Sequence, residues 1–386
     1  MRRIGVIGFV IACFLFPGFA PAGSPPELIR TFLQRGMEKG LHLDEKGAVA
    51  ELMKAVEQDR ENPMGYACLA MAYFFFYETA FETKEKKLKE ALFLRTVEEA
   101  QARAEKRIEK NPQDVEAYFS LAIVRMVKNR WELMRKNYFR ALREAQNVWD
   151  YLEKVRELDP ENYDVYYPMG IFHYHLAQVS GVARWITTWF VAAGDREKGL
   201  KEFELAAEKG YLLKDLARSS LVSAYSGYEK QPARALPFAR RLREKYPENY
   251  NFSFVLANIL SDLGQPEEAL SIAREIADGI KSGIPPYRAE LWPRHSLLLG
   301  KIALDQGEYD KATEYCNQVL KDQAPYNARI RAYALLRLGM IQDARQDRKG
   351  AEEYYQRALD LEGAEGTAQR MARDYLATPY KPPHRK

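Results

Sequence analysis

Pro160-Glu161-Asn162-Tyr163 and Pro247-Glu248-Asn249-Tyr250 repeat one tetrapeptide, and ten residues after each proline a small residue, Gly170 or Ala257, stands inside an apolar helical stretch. Pro112 bears the same relation to Ala122. A second set of spacings follows. From Gly339, twelve residues lead to Ala351, four more to Tyr355 and three more to Ala358; Gly300, Ala257 and Ser223 lead by the same steps to Ala312–Cys316–Val319, Ala269–Ala273–Ile276 and Ala235–Ala239–Leu242. Glycine and proline cut the rest of the chain into short amphipathic segments without the period-two alternation of strands. A recurrence at fixed spacing is the mark of a repeated structural unit.

The residue types explain the unit. A Gly, Ala or Ser where one helix crosses the next lets the two backbones approach, and larger apolar residues one turn away fill the remaining space. One such hairpin cannot cover its own apolar faces, so neighbours must stack. Ala235 and Ala269 lie 34 residues apart, and this period, with its order of small residue, A-x-x-x-aromatic-or-small and proline, resembles the tetratricopeptide repeat. The resemblance implies an all-α fold: a right-handed superhelical solenoid of helical hairpins.

Eight units are read, at 27–60, 64–111, 114–159, 163–210, 214–247, 250–282, 288–323 and 327–362, with a capping helix near 365–377. They fall into an N-terminal set with long insertions (27–210) and a regular C-terminal set with its cap (214–377), followed by a flexible basic tail at 378–386. Pro63, Pro112 and Pro160 are spaced 49 and 48 residues apart, so the second and third units exceed the minimal repeat. Their extra residues, in Thr83–Ala104 and Trp131–Leu158, are Glu-, Lys-, Arg-, Leu- and Ala-rich without proline, which predicts helical insertions that lengthen the helices of these units. The fourth unit carries an apolar, glycine-bounded insertion around Trp185 and Trp189. Gly170, Gly194-Asp195-Arg196 and Gly199-Leu200 give this region a resemblance to tetratricopeptide proteins related to yeast Iml2, whose repeats carry long helical insertions. No catalytic residue comes with it.

The chain opens on Met1-Arg2-Arg3, an apolar run from Ile4 to Phe16, Pro17-Gly18 and Ala20-Pro21-Ala22-Gly23. These are the parts of a secretory signal, with cleavage expected after Ala22 and residues 1–22 removed. Cys13 as a lipidated N-terminus is the rival, disfavoured by the short run ahead of it and by Phe14-Leu15-Phe16 behind it. Export to the periplasm or an outer-membrane-associated place follows as an expectation. Cys68 and Cys316 alone remain after cleavage, both in apolar helical patterns, so buried thiols are expected instead of a disulfide framework. The net charge of +4 is spread without a basic block between the two ends, which excludes a nucleic-acid footprint.

Chemistry is not visible. His173 and His175 stand two residues apart, about 200° around a helix, and cannot share a metal; one should pack and the other should face the groove or solvent. No Cys-x-x-Cys, phosphate loop or nucleophile elbow occurs. Glu98-Glu99, Glu267-Glu268 and Glu352-Glu353 read as solvated helix surface. The chain therefore reads as a non-enzyme without cofactor or metal.

A partner would sit where the first helices of successive units line the inner side of the stack. Positions three before, one after and four after each crossing residue project there: Ala67, Met71 and Phe74; Phe119, Ile123 and Met126; Tyr167, Ile171 and Tyr174; Phe254, Asn258 and Ser261; Leu297, Lys301 and Leu304. An apolar and aromatic groove is expected through the N-terminal half, with Phe74 and Phe119 covered by the chain's own insertions. The candidate partner-binding residues are Tyr167, Ile171, Tyr174, Trp185, Trp189, Phe254 and Asn258. Trp185 and Trp189 are expected to fold back beside Tyr167 and Tyr174 as a plug or pocket wall. No run of Lys and Asn repeats along the groove to capture a partner's C-terminal carboxylate. The function expected is an exported scaffold that docks an envelope protein or peptide; the alternative is a solute-binding accessory holding a small apolar ligand in the aromatic part of the fourth unit. Peripheral membrane contact stays open.

Overall fold

The computed structural model describes residues 25–178, 193–364 and 366–382. Eight antiparallel pairings build the chain: α1 (Pro25–Leu41) with α2 (Glu45–Gln58), α3 (Pro63–Thr79) with α4 (Thr83–Lys110), α5 (Val115–Met134) with α6 (Tyr138–Leu158), and α7 (Tyr166–Leu176) with α8 (Arg196–Lys209). There follow α9 (Lys214–Ser223) with α10 (Pro232–Lys245), α11 (Tyr250–Asp262) with α12 (Pro266–Ser282), α13 (Trp292–Asp305) with α14 (Tyr309–Lys321), and α15 (Ala328–Ala344) with α16 (Arg348–Leu359). A last helix, α17 (Thr367–Ala377), covers α15 and α16. No strand occurs among the described residues. Residues 1–24, with the expected signal and Cys13, and residues 179–192, with Trp185 and Trp189, lie outside them.

Helix starts are written in the sequence. The side chains of Asp44, Asn62, Asp114, Asp195, Asn249 and Asp347 accept hydrogen bonds from the first free backbone N–H groups of the following helices, and Pro63, Pro232 and Pro266 occupy first-turn positions where no N–H is missed. Turns are less legible. Gly264 and Gly307 supply the left-handed residue in two of them, whereas Leu43, Lys136, Lys230 and Gln346 do so in others at φ of 62°, 60°, 52° and 65°. The helical insertion expected over Trp131–Leu158 lengthens both α5 and α6, and the turn between them falls within it: Lys136 reverses the chain, and the Asn137 side-chain amide donates to Glu132 at 2.7 Å. A left-handed lysine gives no composition signal, so a Gly- and Pro-based reading passes over it.

Crossing residues behave as the packing argument requires. A Cβ at Gly170 would lie 2.7 Å from Phe203 Cδ1, and one at Gly199 would lie 2.6 Å from the backbone nitrogen of Tyr174. Cys68 and Cys316 are buried and free. Burial pushes the Cys316 thiol up to about 11 and the Cys68 thiol higher still.

The stack winds back on itself. Leu41 joins the apolar cluster of the middle units, its carbonyl accepts from Asn249 Nδ2 at 2.7 Å, and His42 Nδ1 lies 2.7 Å from Glu248 Oε2. Lys245 bridges Glu38 at 2.8 Å and Asp215 at 2.9 Å, while Asp215 also accepts from the Tyr246 hydroxyl at 2.6 Å. Further along, Phe81 packs edge-on against Tyr326 at 5.3 Å, and the Arg370 guanidinium of α17 lies 5.5 Å from the ring of Tyr228. Early units thus touch late ones, and these contacts bound the inner face at both ends.

Candidate partner-binding face

The expected groove residues are mostly interior. Ala67, Met71, Phe74, Phe119, Ile123, Tyr174, Phe254, Ser261, Leu297 and Leu304 are all buried, which corrects the expectation of an open apolar and aromatic groove. The offsets chosen from each crossing residue point at the first helix of the next unit, so these side chains form the seam between units. Phe74 and Phe119 are covered as expected, Phe74 by Phe93 of α4 at 5.2 Å.

What stays open lies further along the same stripe. Eight residues past Ala70 and Ala122, about 80° around the helix and so on the azimuth of that stripe, stand Glu78 of α3 and Arg130 of α5. Arg130 Nε lies 3.0 Å from Glu78 Oε1, and Nη2 lies 2.7 Å from the same oxygen. The Arg130 side chain is nevertheless 64% exposed; Glu78 takes its Nε and Nη2, and no hydrogen bond is made by Nη1 among the described residues. Tyr167, Tyr228 and His175 interact electrostatically with Arg130. Enclosure by the inner face and the Arg130 charge together hold the His175 imidazole below its ordinary value. Burial raises the Tyr167 hydroxyl above its ordinary value. His175 and Tyr228 rings meet at 6.0 Å, and Tyr228 and Tyr174 at 5.9 Å.

A backbone irregularity sets Tyr228 in place. Ala224–Tyr228 forms a π-type turn in which Glu229 N donates to Ala224 O at 2.9 Å, and such wide turns re-aim side chains at the end of a helix. The Tyr174 hydroxyl donates to Glu229 at 2.7 Å, Glu229 also pairs with Arg196, and burial drives the Tyr174 hydroxyl up to about 12. The two histidines divide as expected: His173 is buried, its Nδ1 2.6 Å from Glu202 Oε2, and His175 is exposed.

The candidate residues separate into two groups. Tyr167 and Tyr174 flank Phe203 at 6.3 and 6.1 Å, with half-buried Ile171 beside them. Among the described residues this part of the fourth unit is filled by those rings. Phe254 is buried beneath the Arg294 guanidinium at 4.2 Å, and Asn258 Nδ2 donates to the Phe254 carbonyl of its own helix at 2.7 Å. Arg294 also donates to Asn251 Oδ1 at 2.5 Å. Burial lowers its guanidinium to about 10, and no carboxylate lies within ion-pair distance among the described residues. Arg130, Glu78, Tyr228 and Arg294 were not read as site residues; carrying the stripe one turn further, to the eighth residue, finds the first two.

The described residues hold no group of three His, Cys, Asp or Glu able to take a metal, and no helix among them is long and apolar enough to cross a membrane. Residues 228–283, 288–328 and 297–368 match the family model of the tetratricopeptide repeat. Over residues 228–368 the chain is similar to tetratricopeptide-repeat proteins. Residues 35–209 match a second model, described as regulator of microtubule dynamics protein 1-3. No curated protein matches. Similar solved structures include yeast Tom70, 14% identical over 91% of this chain and 81% of that one with a TM-score of 0.41. A human IFIT1 dimer with m7Gppp-AAAA is 15% identical over 91% and 84%, with a TM-score of 0.45. A tetratricopeptide-repeat protein from Parabacteroides merdae is 12% identical over 80% and 99%, with a TM-score of 0.33. The tetratricopeptide-repeat architecture is that of a protein-interaction scaffold.

Proposed function

We propose that this protein is an exported scaffold that holds a segment of an envelope protein on its inner face, against Arg130, Tyr167, His175 and Tyr228. The observation that carries the reading is Arg130: a guanidinium fixed by Glu78, largely open to solvent and interacting electrostatically with tyrosines and a histidine. A preset cation with unused donors costs little further ordering when it meets a carboxylate or carbonyl of a partner, and the tyrosines offer apolar area with wet hydroxyls. Export is supported by the three-part N-terminal pattern of residues 1–22.

The test is co-purification from cross-linked envelopes by the parent protein and by Arg130→Glu. Because Arg130 is exposed and its partner Glu78 is itself part-exposed, the variant should keep the parent's helical circular dichroism while losing the co-purifying protein. Unchanged recovery of the same protein by Arg130→Glu would refute this placement of the site.

A further inference from the structure

At its turn end the third hairpin outruns the regular C-terminal hairpins, and it outruns neighbouring α3, which extends nine residues past Ala70, by three. From the crossing residue Ala122, α5 runs twelve residues further, whereas α11, α13 and α15 run five beyond Ala257, Gly300 and Gly339. Seven additional residues at 1.5 Å each carry the α5–α6 tip about 10 Å past the turns of the regular units. This projecting tip is apolar. Phe139 is 81% exposed and Tyr138 is 66% exposed, Leu133 and Met134 are exposed on the other side of the turn, and Leu88 is exposed on neighbouring α4. Arg135 of the tip joins the two helices by pairing with Glu90 at 2.9 Å.

The charges around the tip are mostly basic. Arg140 and Arg143 are exposed on it, Arg135 is exposed and paired with Glu90, and Lys84 and Lys87 are exposed on α4 beside Leu88. The acids nearby are engaged elsewhere: Glu90 with Arg135, Glu85 with Lys89 and Arg288, Glu132 buried and accepting from Asn137, and Glu144 buried with Arg125 and Lys128. Glu82 alone of the acids on these two turns is exposed without an ion pair among the described residues. We propose that the α5–α6 tip, with Leu88, is a docking element for an anionic lipid surface, Tyr138 and Phe139 entering the interfacial layer while the arginines and lysines meet the headgroups. Exposed aromatic side chains beyond the turns of the regular units suit a lipid layer, and the basic residues beside them supply the electrostatic half of such binding. The inner-face reading is independent of this one.

Vesicle co-sedimentation tests it, with pure phosphatidylcholine vesicles and with vesicles containing about one third phosphatidylglycerol. The parent should partition onto the anionic vesicles and be released by added salt. Tyr138→Ser with Phe139→Ser removes two exposed aromatics and leaves the core intact; its partition coefficient should fall about tenfold or more, and Arg140→Glu should lower it further. In Phe139→Trp, the emission added by the new tryptophan should shift to the blue and be quenched by brominated lipid, which reports the tip itself whatever the apolar N-terminus does. Equal partition of parent and double Ser variant, or an added tryptophan emission that anionic vesicles leave unshifted, would overturn the proposal. A dimer abolished by the same substitutions, with no vesicle effect, would overturn it in favour of a contact between two copies of this chain.

Discussion

Gly300 and Gly339 occupy the same position in successive repeats, and substituting alanine at each should move stability in opposite directions. A methyl group at Gly300 would lie 3.2 Å from Cys316 Sγ and 3.4 Å from Tyr315 Cβ, contacts that a small relaxation absorbs. The helix gains about 1 kcal/mol from replacing an interior glycine, so Gly300→Ala should stabilise its unit by roughly 0–1 kcal/mol. At Gly339 the methyl would lie 2.6 Å from Tyr355 Cδ1 and closer still to Cε1. That ring cannot swing away freely, because its hydroxyl donates to buried Asp343 at 2.8 Å and its face packs on Tyr375 at 5.8 Å. Overpacking of this kind costs about 1–3 kcal/mol, and less the propensity gain of about 1 kcal/mol Gly339→Ala is left destabilising by up to about 2 kcal/mol. The two variants should therefore differ by about 2 kcal/mol, near thirtyfold in a local opening constant. Native-state hydrogen exchange of α13–α14 and of α15–α16 is the suitable assay, since a repeat array need not unfold in one step. In a Tyr355→Leu background the Gly339→Ala penalty should shrink. Equal protection in the two variants, or an undiminished penalty in that background, would refute the claim that these small residues are there for backbone–ring contact.

Two further outcomes follow. Burial alone would raise the Asp215 carboxyl, but hydrogen bonds from Tyr246, Lys245 and Arg218 outweigh it and hold the group below its ordinary value; its stabilising contribution is complete above the unfolded value of about 4 and disappears as pH falls through the depressed folded value, so urea midpoints should decline on acidification in the parent and decline less in Asp215→Asn. Sequencing of the mature N-terminus should begin at Gly23, and recovery of a lipid-modified Cys13 would replace periplasmic release with acyl anchoring.

Most of the fold was legible because the repeat depends on residue sizes that show in the sequence: Gly170 against Phe203, Gly339 against Tyr355, and Asn or Asp capping helix after helix. The turn at Lys136 was not, since a left-handed residue other than glycine is fixed by its surroundings and not by its own preference. The site was legible only as a stripe. Periodicity gives the azimuth of Tyr167, Glu78 and Arg130 alike, but not how far along each helix the neighbouring unit covers it. That limit follows from where the stack closes, at contacts such as Phe81–Tyr326 and Asn249–Leu41, which join residues more than two hundred positions apart.

The central claim is that partners meet this scaffold on its inner face beside Arg130. A photo-crosslinking amino acid placed at His175, at Tyr228 and, for contrast, at Glu157 on exposed α6 gives the most direct test in growing cells. The account predicts one shared adduct from positions 175 and 228, lost when Arg130 is changed to Glu, and none from position 157. An adduct from position 157 with silence at 175 and 228 would contradict it and move the binding surface to the outside of the solenoid.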